Sequence, residues 1–139
     1  MNYPKSRLRR LRYNKNIRSL VQDVQLNISD LIYPIFICEG ENIKEEINSL
    51  PGQYRLSVDN VLVLCDELIK LGIKSILLFG ISNKKDNDGS IACSEDSIIP
   101  FAIKKIKKKF STDILIMADL CNCSYTSHGH CGTMENNDV

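Results

Sequence analysis

The sequence predicts an α/β fold built on a parallel sheet. Strand-like and helix-like segments alternate, the strand-like ones are apolar throughout rather than every second residue, and the last runs into a cluster of cysteines. The first strand is expected at Leu31-Ile32-Tyr33-Pro34-Ile35-Phe36-Ile37, rich in β-branched and aromatic side chains. Pro34 sits awkwardly there, because proline donates no ladder hydrogen bond and suits an edge or a strand end.

Ser57 is a good N-cap for a helix reaching Leu71, with Gly72 placed to end it. Val58, Val61, Leu62, Cys65, Leu68 and Ile69 recur at helical spacing and give that helix one apolar face. Ser75-Ile76-Leu77-Leu78-Phe79-Gly80 then reads as a second buried strand, followed by a polar loop over residues 81–95 that holds Asn83, Asp86, Asn87, Asp88 and Gly89. A second helix is expected over residues 97–110, with Ile99, Ala102, Ile103, Ile106 and Phe110 inside. Its lysines, Lys104, Lys105, Lys107, Lys108 and Lys109, form a solvated face rather than a nucleic-acid patch, since Ile106 interrupts them on the core period and no aromatics interleave. Residues 113–120 complete a third strand.

Two architectures fit this alternation, an open doubly wound sheet and a (β/α)₈ barrel, the latter normally needing ~250 residues. Three strands in 139 residues correspond to the first units of a larger domain. Residues 1–28 are expected to be a basic arm, extended to about Tyr13, plus a short helix over 17–24; residues 29–139 hold the strands and helices.

Charge is distributed unevenly. Lys5, Arg7, Arg9, Arg10, Arg12, Lys15 and Arg18 precede the first acidic residue, Asp23, leaving eleven basic against seventeen acidic groups, a balance of −6. A basic arm on an acidic body points to docking between molecules; nucleic acid or an organelle import system are the other partners such an arm suits. No apolar run approaches the ~20 residues of a membrane span, and the start has no secretory pattern, so a cytoplasmic location without a membrane partner is expected. Cys38, Cys65 and Cys93, scattered one per segment, read as small buried hydrophobes.

The other cysteines carry the chemistry. Cys121 and Cys123, two apart on extended backbone, leave the same face, and a loop made flexible by Gly129 can return Cys131 to them. Three thiolates suit zinc. The site is catalytic if water or substrate takes the fourth position and structural if His128 or His130 does; three packed or redox-active thiols are the remaining alternative.

Residues Asp119 to Gly132 resemble the metal-binding segment of zinc-type porphobilinogen synthases (5-aminolevulinate dehydratases), D-x-C-x-C-x-Y-T-S-H-G-H-C-G. The likeness extends to Arg7-Leu8-Arg9-Arg10-Leu11-Arg12, Asp30 to Phe36, Leu50-Pro51-Gly52 with Arg55, Leu78-Phe79-Gly80-Ile81, and Lys85-Asp86 with Gly89-Ser90. Ser97 departs from it, standing where the family often has glycine.

The resemblance implies the N-terminal portion, about three βα units, of a (β/α)₈ barrel preceded by an arm. It further implies a lyase condensing two 5-aminolevulinate molecules into porphobilinogen. Zinc would be held at Cys121, Cys123 and Cys131, Asp119 would be an active-site acid, and His128 and His130 would order the loop around the metal. The family's Schiff-base lysines and any magnesium site fall on later strands, so no such role passes to Lys84, Lys85, Lys104 or Lys105. The arm would wrap a neighbouring subunit of a homo-octamer, with no nucleic acid involved. Two alternatives stand beside this reading: an inactive truncated remnant, and a small zinc-stabilised module with an RNA-binding arm.

Overall fold

The computed structural model describes residues 4–5, 8–132 and 134; Arg7 of the basic arm lies outside them. A 3-10 turn at Arg10–Arg12 leads to helix α1 (Lys15–Leu20), and a second at Ile28–Asp30 leads to strand β1 (Ile32–Cys38). Strands β2 (Lys44–Glu46) and β3 (Tyr54–Leu56) precede helix α2 (Val58–Lys70) and strand β4 (Ser75–Ile81). A 3-10 turn at Ser90–Cys93, helix α3 (Ile98–Phe110) and strand β5 (Leu115–Ala118) complete the order.

The five strands form one sheet in the order β2-β3-β1-β4-β5. β1 pairs in parallel with β4 along its whole length and β4 in parallel with β5, as the alternation of elements predicts. Pro34 is accommodated inside β1 because β3 flanks only Phe36 and Ile37, leaving the strand one-sided at the proline.

The core lies between the sheet and its two helices. Ile35 and Ile37 of β1 and Ile76 and Leu78 of β4 are buried against Val61, Cys65 and Leu68 of α2 and Ala102, Ile106 and Phe110 of α3. Each such aliphatic side chain contributes about 1.5–3 kcal/mol by leaving water. The helix stripes were readable at 3.6-residue spacing, and the exposed lysines of α3 fall outside its stripe. Lys109 pairs with Asp66 across the two helices. On the opposite face of the sheet Phe36 stacks on Phe79, ring centroids 5.2 Å apart.

Several expectations need correction. The arm is not extended throughout: Arg12 N donates to Arg9 O at 2.9 Å and closes a turn. The short helix starts earlier, because the Asn14 side chain caps it, accepting from Ile17 N at 2.9 Å, and it ends at Leu20 rather than residue 24. Ser57 is the N-cap of α2 by position, but its hydroxyl accepts from Ile43 N at 2.8 Å and ties the β2 segment to the helix start. The hairpin β2–β3 was not anticipated; Lys44–Glu46 is wholly exposed and carries no apolar pattern. The third strand is shorter than expected, and Cys93 is exposed on its turn rather than buried. Cys38 and Cys65 are buried as expected, and burial pushes the Cys65 thiol up to about 11, keeping it protonated and inert.

Among the described residues no helix is long and apolar enough to cross a membrane. Near its carboxyl end β4 carries Gly80, where an added Cβ would lie 2.0 Å from the Tyr125 hydroxyl oxygen and 2.8 Å from Ile99 Cγ1. Gly80→Ala is therefore expected to lower stability by about 1–3 kcal/mol through overpacking. Thermal or urea unfolding of the variant checks this, and an unchanged midpoint would show that the Tyr125 ring does not occupy this seat.

Candidate metal centre at the carboxyl end of the sheet

Because β1, β4 and β5 run in parallel, their carboxyl ends deliver Glu39, Ser82 and Asp119 to the same end of the sheet. Ser82 Oγ donates to Glu39 Oε1 at 3.3 Å. Asp119 N donates to Leu78 O at 3.0 Å, carrying the ladder one residue past β5 and leaving an exposed side chain at the strand end.

The chain after Asp119 turns back on itself. Tyr125 N and Thr126 N both donate to Asn122 O, at 2.8 and 3.1 Å, and the Tyr125 ring is buried over Gly80. The buried Thr126 hydroxyl donates to His130 O at 2.9 Å, and Gly129 takes the left-handed φ of +78° that lets the loop return. Cys131 Sγ thereby comes within 3.4 Å of Cys121 Sγ and 3.2 Å of Cys123 Sγ. All three sulfurs lie within 4.8 Å of one another, so the cluster can hold a metal ion.

The electrostatics of the trio are unequal. Hydrogen bonding with Cys131 and then Cys121, with burial adding, pushes the Cys123 thiol up to about 11. Cys131 is shifted the opposite way by its hydrogen bonds with Cys123 and Cys121 and by Asn122 N, which donates to its sulfur at 3.3 Å. Burial, and then the charges of Asp119 and Glu39, raise the Tyr125 phenol, which places that hydroxyl within the field of both strand-end carboxylates.

The histidines stand beside the sulfurs rather than among them. The ligating cluster found among the described residues contains neither. His128 Nε2 lies 3.0 Å from Asn87 O, its Nδ1 accepts from His130 N at 3.3 Å, and the two rings stack with centroids 6.1 Å apart.

Sequence reasoning missed what holds the loop. Asp86 N donates to Tyr125 O at 3.2 Å and Ser127 N donates to Asp86 O at 2.8 Å, a two-bond bridge between the loops after β4 and β5. Ser127 Oγ adds a bond to Asn87 Oδ1 at 2.7 Å. The available signals were the Asp86-Asn87-Asp88-Gly89-Ser90 turn chemistry and the Tyr125-Thr126-Ser127 run between the cysteines.

Comparison with known proteins bears on the whole chain. Residues 5–139 match the family model of delta-aminolevulinic acid dehydratase. The delta-aminolevulinic acid dehydratase of Helicobacter pylori (strain J99) is 50% identical over 134 residues, 96% of this chain and 41% of the relative. That of Methanothermus sociabilis is 45% identical over 139 residues, covering 100% of this chain and 43% of its own. A crystal structure of delta-aminolevulinic acid dehydratase (porphobilinogen synthase) from Toxoplasma gondii ME49, in complex with the reaction product porphobilinogen, superposes with a TM-score of 0.87 at 35% identity. That superposition covers 94% of this chain and 37% of the other, so the sheet is part of a barrel. The chain spans about two fifths of the length of these relatives. By this match, and by the strand-end thiol cluster that its residues build, the chain belongs to the delta-aminolevulinic acid dehydratase family.

Proposed function

We propose that this chain carries the metal-binding part of a zinc-dependent porphobilinogen synthase. Such an enzyme joins two molecules of 5-aminolevulinate into porphobilinogen with loss of two waters, on the route to haem and other tetrapyrroles. The observation that carries the reading is the meeting of three sulfurs within 4.8 Å at the carboxyl ends of parallel strands, where barrel enzymes keep their chemistry.

The donor set fits zinc. A tetrahedral ion with Zn–S bonds of ~2.3 Å sets its sulfurs about 3.8 Å apart, so separations of 3.2 and 3.4 Å need only a slight opening of the trio. Cys121, Cys123 and Cys131 would hold the ion. His128, turned to Asn87 O, and His130 order the loop and leave the fourth position to water or substrate. When bound, the ion supplies Lewis-acid chemistry toward a substrate carbonyl oxygen. Asp119, exposed at the end of β5, would orient a substrate amine or move its proton. Any magnesium site of the intact enzyme would belong to later strands.

Residues 1–28 form a separate arm in this reading, and residues 29–139 the barrel segment. Leu8, Leu11, Leu20, Val24 and Leu26 are exposed, with Leu20 at 84% and Leu26 at 80%. Apolar side chains on a basic arm support docking on another copy in a homo-octamer. A cytoplasmic location completes the proposal.

Single Cys121→Ala, Cys123→Ala and Cys131→Ala variants are expected to lose stoichiometric zinc by metal analysis, and full retention in all three would sink the assignment. Binding requires thiolates, and the Cys123 thiol raised to about 11 must give up its proton. Zinc affinity is thus expected to fall with decreasing pH, by about tenfold per unit for each proton displaced, as read by chelator competition and proton release.

Lys84 and Lys85 stand exposed in the loop after β4, and Lys104 and Lys105 on the exposed side of α3. By the family resemblance the Schiff-base lysines belong to later strands, and none of these four takes that role. The 139-residue chain with zinc and 5-aminolevulinate is therefore expected to make no porphobilinogen and to gain no borohydride-reduced adduct by mass spectrometry. A stoichiometric adduct with turnover would show the active site to be misplaced.

Removing residues 1–28 from a protein of full barrel length should lower its oligomeric state in sedimentation while leaving helical content intact. An unchanged octamer would count against the arm, and strong salt-dependent affinity for RNA would favour a nucleic-acid role instead.

A further inference from the structure

We infer that Asp86 is a positioning residue for the metal centre, holding the turn on which the cysteine loop is seated; this rests on the metal reading above. Its carboxylate accepts from Asp88 N at 3.1 Å and Ser90 N at 3.0 Å, and from the Ser90 hydroxyl. Those bonds, the Ser90 hydroxyl foremost, hold the Asp86 carboxyl below its ordinary range and keep it a carboxylate. They wind residues 86–90 into a fixed turn that no helix or strand supplies.

The turn's backbone then grips the cysteine loop. Asp86 N and O bond Tyr125 O and Ser127 N at 3.2 and 2.8 Å, and Asn87 meets Ser127 and His128 through its side chain and carbonyl. Gly89, at φ +64°, closes the fit, since an added Cβ would lie 3.3 Å from Thr126 Cγ2. The gripped residues, Tyr125 to His128, are the stretch between Cys123 and Cys131, so the turn fixes the path by which Cys131 returns to the other two sulfurs. Groups that orient ligands in this way govern metal affinity without touching the ion.

The test is a zinc titration of the 139-residue chain against a competing chelator, with folding followed by circular dichroism. Asp86→Ala is expected to weaken zinc about ten- to a hundredfold while saturation stays at one ion per chain, and to speed exchange of the Ser127 amide. Asp86→Asn should recover most of the affinity, because its amide oxygen still accepts from Asp88 N and Ser90 N. Ile106→Ala, which loosens the core far from the loop, should melt earlier yet bind zinc as the parent does. Equal zinc affinity in parent and Asp86→Ala would overturn the inference alone. Failure of the unmodified chain to bind zinc would overturn the metal reading and the inference with it. If Asp86→Ala does not fold, Asp86→Glu and Asp86→Asn decide, since Glu keeps the charge but carries its acceptor one methylene away from Asp88 N and Ser90 N: affinity unchanged in Asp86→Glu overturns the inference, and a loss there with recovery in Asp86→Asn supports it.

Discussion

The arrangement at the carboxyl end of the sheet depends on one close approach. Gly80 has no side chain, and the Tyr125 ring fills the space a Cβ would need. Seated there, Tyr125 fixes the turn it shares with Asn122, and that turn sets the direction in which the chain leaves toward Cys131. A side chain on Gly80 would displace an aromatic ring rather than a flexible chain end, so the strain would pass into the loop. The link from sequence to site therefore runs through an absence of atoms in β4.

The core helices and the strands β1, β4 and β5 could be read directly, the last with overlong bounds, because burial on one helix face or within a covered sheet leaves a period or an apolar run in the sequence. Val61, Cys65 and Leu68 of α2, and Ala102, Ile106 and Phe110 of α3, are such marks. The hairpin β2–β3 left none: Lys44–Glu46 is exposed throughout and Tyr54–Leu56 is only three residues long, so pairing with β1 decides their conformation. The convergence of Cys121, Cys123 and Cys131 was legible from spacing and from a glycine able to turn the loop. The bridge from Asp86 to Tyr125 and Ser127 was not, since it joins backbone groups across some forty residues and backbone groups look alike in any sequence.

The strands are apolar on both faces, yet α2 and α3 cover only one. Phe36 and Phe79 stack on the other face, where Phe36 is directly opposite Phe79 in the β1–β4 register. A sheet that faced water there would alternate polar and apolar residues. The continuous apolar run is the pattern of a barrel interior, in agreement with the superposition on part of a barrel in the Toxoplasma gondii protein. The same closure that would cover Phe36 and Phe79 would surround the strand-end residues.

Negative charge gathers at that end of the sheet. Glu39 and Asp119 already place two carboxylates near Tyr125, and their field, after burial, keeps the phenol protonated. Three thiolates at the same end would concentrate negative charge further, and hydrogen bonding among the sulfurs already raises the Cys123 thiol while lowering that of Cys131. A metal ion held there would relieve that repulsion by exchanging protons for positive charge. The hydrogen bonds among the sulfurs, with Asn122 N donating to Cys131, hold the three side chains together, so an ion bound among them would demand little reorganisation.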